Sequence, residues 1–245
     1  MNSATRSPDS AIAREAAKTQ SRWSGFPAQS KIQNPKSKIS DAFSLIELLV
    51  VIAIIAMMAS FTMPAMSSVL QANQLSRAGQ QVQRFLVSAR QGAQTRNRRV
   101  EVRFYSYTRP EDAGSGNVFN AMQSFLIAED GSATPLAKLN RLTGTILFNE
   151  GAALSSLLAG LTNKTWSGTN DPQVSLPGVG TAYTARCFQF RPDGRPDAGT
   201  ALSLTDKWFL TVHAARHGKD ITTPPPNYIT LQIDPLSGTL RTYQP

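Results

Sequence analysis

Residues 43–63, FSLIELLVVIAIIAMMASFTM, form one apolar run that contains a single charge, Glu47. Its length is about what a helix needs to cross a hydrocarbon core of roughly 30 Å. A secretory signal has a shorter apolar core that is closed by a small-residue cleavage site. Here the run passes Pro64 instead, and its period changes. Leu75, Ala78, Val82, Phe85 and Ala89 step by three and four and make one apolar stripe, while Arg77, Gln81, Arg84, Ser88, Gln91 and Thr95 fill the other faces. The spacing predicts one helix from about Phe43 to about Asn97, ending near RNRR at 96–99. Such a helix would be roughly 80 Å long at 1.5 Å per residue. Its first half is apolar all round and its second half on one side only, the pattern of a membrane anchor that runs on into a helix carrying a domain.

Beyond the helix the period becomes two. VEVRFYSY (100–107) alternates and is rich in β-formers. Further candidate strands are 123–129, 144–149, 186–192, 207–214, 227–234 and 238–243, and the turn signals EDGS, RPDGRPD, TTPPPN and DPLSG lie among them. GAALSSLLAGL (151–161) reads as a short helix, and residues 162–182 as a long loop. The expected fold class is α+β, a long N-terminal helix packed on an antiparallel β domain. The expected division is a leader over 1–42, a transmembrane and assembly helix over 43–65, an amphipathic helix over 66–98 and the β domain over 99–245.

The leader is rich in Ser, Ala, Lys, Gln and Pro, has no apolar periodicity and reads as disordered or processed. It carries part of the net charge of +9. Lys31, Lys36 and Lys38 stand close before the apolar run, whereas Arg77 and Arg84 stand farther beyond it. This bias favours a cytoplasmic N-terminus and an exported C-terminal domain. The one cysteine, Cys187, rules out an internal disulfide and a cysteine-rich zinc site.

A carboxylate within an apolar span costs a few kcal/mol on insertion scales and usually has a partner. Glu47 could sit at the membrane edge and reach the interface. The local string points further. Ala42-Phe43-Ser44-Leu45-Ile46-Glu47 resembles the prepilin peptidase motif of type IV pilins and type II secretion pseudopilins. In that family a small residue, usually Gly and sometimes Ala, precedes the cut, Phe follows it, and Glu is the fifth residue of the mature chain. The resemblance implies cleavage between Ala42 and Phe43 and N-methylation of the new amino group of Phe43. It also implies that Glu47 of one subunit pairs with that amine on a neighbour. Pro64 falls where anchor helices of the family commonly carry a kinking proline.

A second stretch, RFLVSARQGAQTRNRRVEVRF (84–104), resembles the helix-to-strand junction of the GspH/FimT pseudopilins. FQFRPDGRP (188–196) and DPLSGTLRTY (234–243) resemble their later strands, with a pattern near that of the pilin-like cassette D family of the Verrucomicrobia. The implied function is a minor pilin or pseudopilin, a structural subunit of a type II secretion or type IV pilus-like fibre in the bacterial inner membrane. Its implied partners are prepilin peptidase, other pilin or pseudopilin subunits and membrane lipid. A DNA-binding minor pilin and an uncleaved single-span protein are the alternatives.

Other signals are weaker. His213 and His217 stand four apart, but the zinc-protease glutamate is missing and His213 lies in a strand-like stretch, so no metal or other cofactor is expected. NKT (163–165) is a three-residue glycosylation pattern of little weight. Asp193, Asp197 and Asp234 adjoin Gly or Pro and read as turn residues. Cys187 reads as a small buried apolar residue. Arg84, Arg90, Arg96, Arg98, Arg99 and Arg103 read as a solvated basic region, with Phe104, Tyr105 and Tyr107 beside them keeping DNA binding open. No Ser/His/Asp grouping, phosphate loop or paired-carboxylate motif supports an enzyme.

Overall fold

The computed structural model describes residues 44–109, 116–205 and 207–245, without the side chains of 61–68. The chain divides into two compact units, Met1–Ile54 and Ile55–Pro245. Helix α1 spans Leu45–Arg96. The chain then runs through β1 (Val100–Thr108), β2 (Asn117–Ile127), β3 (Ala133–Pro135), β4 (Asn140–Arg141), β5 (Ile146–Phe148), α2 (Ser156–Gly160), β6 (Thr184–Phe190), β7 (Pro196–Asp197), β8 (Trp208–Ala214), a 3₁₀ turn (Ala215–His217), β9 (Tyr228–Ile233) and β10 (Leu240–Tyr243).

Within the larger unit, α1 buries the stripe Leu75, Ala78, Val82, Phe85 and Ala89, with Leu86 and Ala93 added. The helix stops at a left-handed residue, Asn97, with φ of 50°. Asn97 N–H donates to the Gln94 carbonyl at 3.3 Å and Arg98 N–H to the Ala93 carbonyl at 3.2 Å. These paired bonds satisfy the last carbonyls, and Asn tolerates the left-handed position better than most residues.

The strands form two antiparallel sheets, ordered β3-β2-β1-β6-β7 and β10-β9-β8-β5, with β4 added beside β2. The sheets face each other across the core. Phe104 on β1 meets Phe148 on β5 edge-on at 5.3 Å, and Phe188 on β6 meets Trp208 on β8 at 6.3 Å. Val100, Val102 and Phe104 join this core from β1. The alternate residues Tyr105 and Tyr107 belong to a second cluster with Leu176 and Tyr183, from the segment 162–183. Strand β1 is therefore buried on both faces, whereas an antiparallel strand commonly leaves one face to water.

The seven longer candidate strands are all present, but β2 begins at Asn117 rather than near 123. Between Tyr105 and Ser106 the β1–β2 register skips Asn120, so a bulge breaks the alternation that would reveal the strand. Strands β3, β4 and β7, of three residues or fewer, had no counterpart in the sequence pattern.

The two glycine turns RPDGRPD and DPLSG meet at one arginine of α1. Arg90 Nε donates to the Gly194 carbonyl at 3.2 Å, and its NH2 group donates to the Ser237 carbonyl at 2.9 Å. One turn follows β6 and the other follows β9, so Arg90 ties the helix to both sheets. Gly238, at φ of +69°, leaves no room for a Cβ against the Gly194 backbone oxygen. Gly238→Ala combines a left-handed alanine, about 1–2 kcal/mol, with a backbone clash. The expected loss is about 2 kcal/mol or more, read as a lower denaturant midpoint of the full chain in detergent. A midpoint equal to wild type would show that the two turns are not locked together.

Candidate assembly segment and a buried charge cluster

Helix α1 opens with Ser44, whose carbonyl accepts from Leu48 N–H at 3.1 Å. Glu47 lies exposed in the first turn, a place the helix dipole favours for an acid. Around it the large apolar side chains from Leu45 to Met58 are 43 to 81% exposed. Ser60 Oγ donates to the Ala56 carbonyl at 2.9 Å, which satisfies the hydroxyl within the helix. Eleven large apolar side chains in fourteen residues, all facing outward, form a surface with no core of its own. Monomeric soluble proteins rarely leave so large a patch bare. Among the described residues no helix is long and apolar enough to cross a membrane. The span expected over 43–65 includes residues whose side chains lie outside the description, and Pro64 is among these. Ala42 and Phe43 also lie outside the described residues, as does the leader.

The second feature is internal to the larger unit. Glu101 and Arg103 stand two apart on β1 and share a face. Arg103 Nε meets Glu101 Oε1 at 2.5 Å, and Arg103 NH2 meets Asp171 Oδ1 at 2.8 Å. Lys164 Nζ reaches the same two carboxylates, Glu101 Oε1 at 2.8 Å and Asp171 Oδ2 at 2.7 Å. The Arg103 guanidinium lies 3.7 Å from the centre of the Phe125 ring and 5.3 Å from that of Trp166. Gln189 Nε2 donates to the second Glu101 oxygen at 3.3 Å.

Two acids and two bases thus close a neutral ring, with Arg103 fully buried. Burial works to lower the Arg103 pKa, but Glu101, through charge and hydrogen bond, and Asp171 hold it above its ordinary value. Burial likewise opposes the charge on Lys164, and the Asp171 and Glu101 hydrogen bonds raise its pKa in spite of it. Stability from these raised cations is complete below the ordinary lysine range and is lost only as pH rises through the folded values. Lys164 and Asp171 belong to the long loop, so the ring fastens that loop over the outer face of β1.

Arg103 therefore leaves the surface group of arginines. Arg90 is committed to the two turns, while Arg84, Arg96, Arg98 and Arg99 are exposed. Arg98 and Arg99 lie 3.9 Å from Glu129 and 3.8 Å from Asp197. Phe104, Tyr105 and Tyr107 are all buried, so none can stack on a base. Cys187 is half-buried opposite Arg103 on β6. Burial, with Glu101 nearby, pushes its thiol up to about 11, which leaves it little thiolate. It is a neighbour of the charge ring rather than a core residue.

His213 is fully buried, with Nδ1 3.0 Å from the Ala214 carbonyl and Nε2 3.4 Å from Asn149 Nδ2. Burial lowers its pKa, in keeping with a neutral ring that donates at Nδ1 and accepts at Nε2. Its ring and that of His217 are 6.4 Å apart between centres. Among the described residues no group of three or more His, Cys, Asp or Glu side chains could hold a metal ion. Asp193, Asp197 and Asp234 each accept a backbone N–H two residues on, from Arg195, Gly199 and Leu236 at 2.9 to 3.0 Å, as turn residues do.

The prokaryotic N-terminal methylation motif matches residues 38–63. No curated protein sequence matches the chain significantly. Two solved structures are similar to it. One is the minor pseudopilin EpsH of the type 2 secretion system of Vibrio cholerae, 10% identical, with a TM-score of 0.38 over 70% of this chain and 98% of that one. The other is the type IV minor pilin FimU of Pseudomonas aeruginosa PAO1, 14% identical, with a TM-score of 0.38 over 71% of this chain and 93% of that one.

Proposed function

We propose that the chain is a minor pilin-like subunit, a structural component of a type II secretion or type IV pilus-like fibre and not an enzyme. The observation that carries this reading is the methylation motif at residues 38–63, set on a helix whose apolar side chains face outward around one acid. Prepilin peptidase cuts between Ala42 and Phe43 and the Phe43 amine is methylated. Before assembly the apolar helix is held by lipid of the inner membrane, with the N-terminus cytoplasmic and the larger unit exported. In the fibre the same apolar side chains pack on other subunits, Glu47 takes a neighbour's Phe43 amine as its partner, and Pro64 bends the helix. Residues 84–104, 188–196 and 234–243 support the finer placement near the GspH/FimT and Verrucomicrobia pilin-like cassette D families.

The test is the intact mass of the protein made in a host that has prepilin peptidase. The expected mass lacks residues 1–42 and carries one methyl group on Phe43. A chain that still begins at Met1, in cells that process other prepilins, overturns the reading.

A further inference from the structure

The part of α1 that packs on the sheets has an outer face that nothing among the described residues covers. Arg77, Gln80, Arg84, Ser88 and Gln91 follow one another by threes and fours, opposite the buried stripe, and all five are exposed. Gln80, Gln83, Arg84, Val87, Ser88 and Gln91 line a shallow depression of about 450 Å³. Val87 is half-buried there, and the rest of the lining can donate or accept hydrogen bonds.

The charge on this length of helix is of one sign. Residues 48–99 contain Arg77, Arg84, Arg90, Arg96, Arg98 and Arg99 and no Lys, Asp or Glu. Arg90 is spent on two backbone carbonyls, and Arg98 and Arg99 approach acids of their own chain. Arg77 and Arg84 make no ion pair among the described residues. Among the described residues Arg84 donates to the Gln80 carbonyl of its own helix, at 3.2 Å.

We propose that this face is a docking surface for the helix of a different subunit, one that presents carboxylates to Arg77 and Arg84. The proposal rests on the fibre reading above and adds the kind of neighbour it requires. Charge complementarity selects the occupant. Beyond Glu47, which the fibre reading gives to a neighbour's Phe43 amine, the helix of a second copy brings no carboxylate up to its end at Arg96, so like charges would meet across the contact. A carboxylate-bearing helix would offer Arg84 and Arg77 charge-assisted bonds, with the glutamines and Ser88 supplying neutral ones around the Val87 floor. The chain would then enter a fibre between unlike neighbours and would not extend it by stacking on itself.

The test uses the full chain in its own cells, with a photo-crosslinking amino acid at Gln80 or, separately, at Ile52 in the apolar segment. The expected result is adducts from both positions. Those from Gln80 should contain a pilin-like protein other than this chain, with acids on its helix. The pair Arg77→Glu and Arg84→Glu should reduce the Gln80 adducts at least ten-fold, while cleavage of the leader and the Ile52 adducts persist. Adducts at Gln80 with a second copy, adducts indifferent to the charge reversal, or adducts at Ile52 alone each overturn the docking surface and leave the fibre reading standing. Loss of adducts at both positions in the unreversed protein overturns the fibre reading itself.

Discussion

Arg103→Met is expected to lower the stability of the larger unit by about 3–5 kcal/mol, the cost of removing one member of a buried ion cluster. The size follows from what stays behind. Glu101 is buried and Asp171 nearly so, and they would be left with Lys164 as their only cation. The ring would pass from neutral to a net negative charge in a place with little water to screen it. Methionine fills much of the same volume, so the loss is electrostatic and is not that of a cavity. The guanidinium's contact with the Phe125 ring would also be lost, a smaller amount of about 1–2 kcal/mol.

Denaturant unfolding of the full chain in detergent gives the overall loss, and limited proteolysis locates it. Cleavage should appear within the loop 162–183, which the ring fastens to β1. Arg103→Lys keeps the charge but not the fork that spans two carboxylates, so it should fall between methionine and wild type. Replacing all four charged members by apolar residues of similar size should cost much less than Arg103→Met, because no charge then remains buried and unpaired. An Arg103→Met protein as stable as wild type would mean that water already reaches the ring. Global loss without proteolysis of the loop would mean that the loop is held by Tyr183, Leu176 and Trp166 instead.

How much of this could be read from the residues depends on how local each interaction is. The stripe from Leu75 to Ala89 was legible because a helix repeats its contacts every three or four residues. The strand at 100–107 was legible for the matching reason at period two. Strand β2 begins six residues before its alternation becomes legible, because the bulge at Asn120 shifts the phase between Phe119 and Ala121. Strands β3, β4 and β7 are too short for a period of two to show, whereas β5, also of three residues, is marked by its unbroken apolar run ILF.

In the charge ring, the spacing of Glu101 and Arg103 places both on one face of a strand. Nothing local distinguishes them from surface charges, however, so by sequence Arg103 reads with the exposed arginines. Their partners Lys164 and Asp171 come from a loop some sixty residues away, where no pattern operates. The aromatic neighbours of that arginine group misled for the same reason. Tyr105 and Tyr107 point away from the main core and would be exposed if the loop did not cover them. At the N-terminal segment the order is reversed. Its proposed role rests on the short string around Ala42, Phe43 and Glu47, and the fold adds only that Glu47 and the apolar side chains after it are turned outward.

Glu47→Ala is expected to give a processed, membrane-resident protein that does not enter the fibre. The carboxylate has different consequences in two states. In the lone subunit it sits among exposed apolar side chains; an acid costs about 2.5–3.5 kcal/mol on insertion scales at the centre of a membrane helix and less in the first turn, where Glu47 stands. Its removal therefore leaves insertion unharmed or improves it. The proposed cleavage should persist as well, because the bond between Ala42 and Phe43 is untouched. In the fibre, under the proposed pairing, Glu47 answers the methylated amine of a neighbour's Phe43. Taking away one member strands the other charge among apolar helices, a loss of about 3–5 kcal/mol per contact. That is some two to four powers of ten in the equilibrium for entering the fibre, since each 1.4 kcal/mol is ten-fold. Membrane fractionation, intact mass and crosslinking at Ile52 separate the steps. Glu47→Gln should fail as alanine does, because an amide keeps the shape but not the charge. If Glu47→Ala protein crosslinks into the fibre as efficiently as wild type, the acid serves only to start the helix or to reach the membrane edge, and the pairing with Phe43 is wrong.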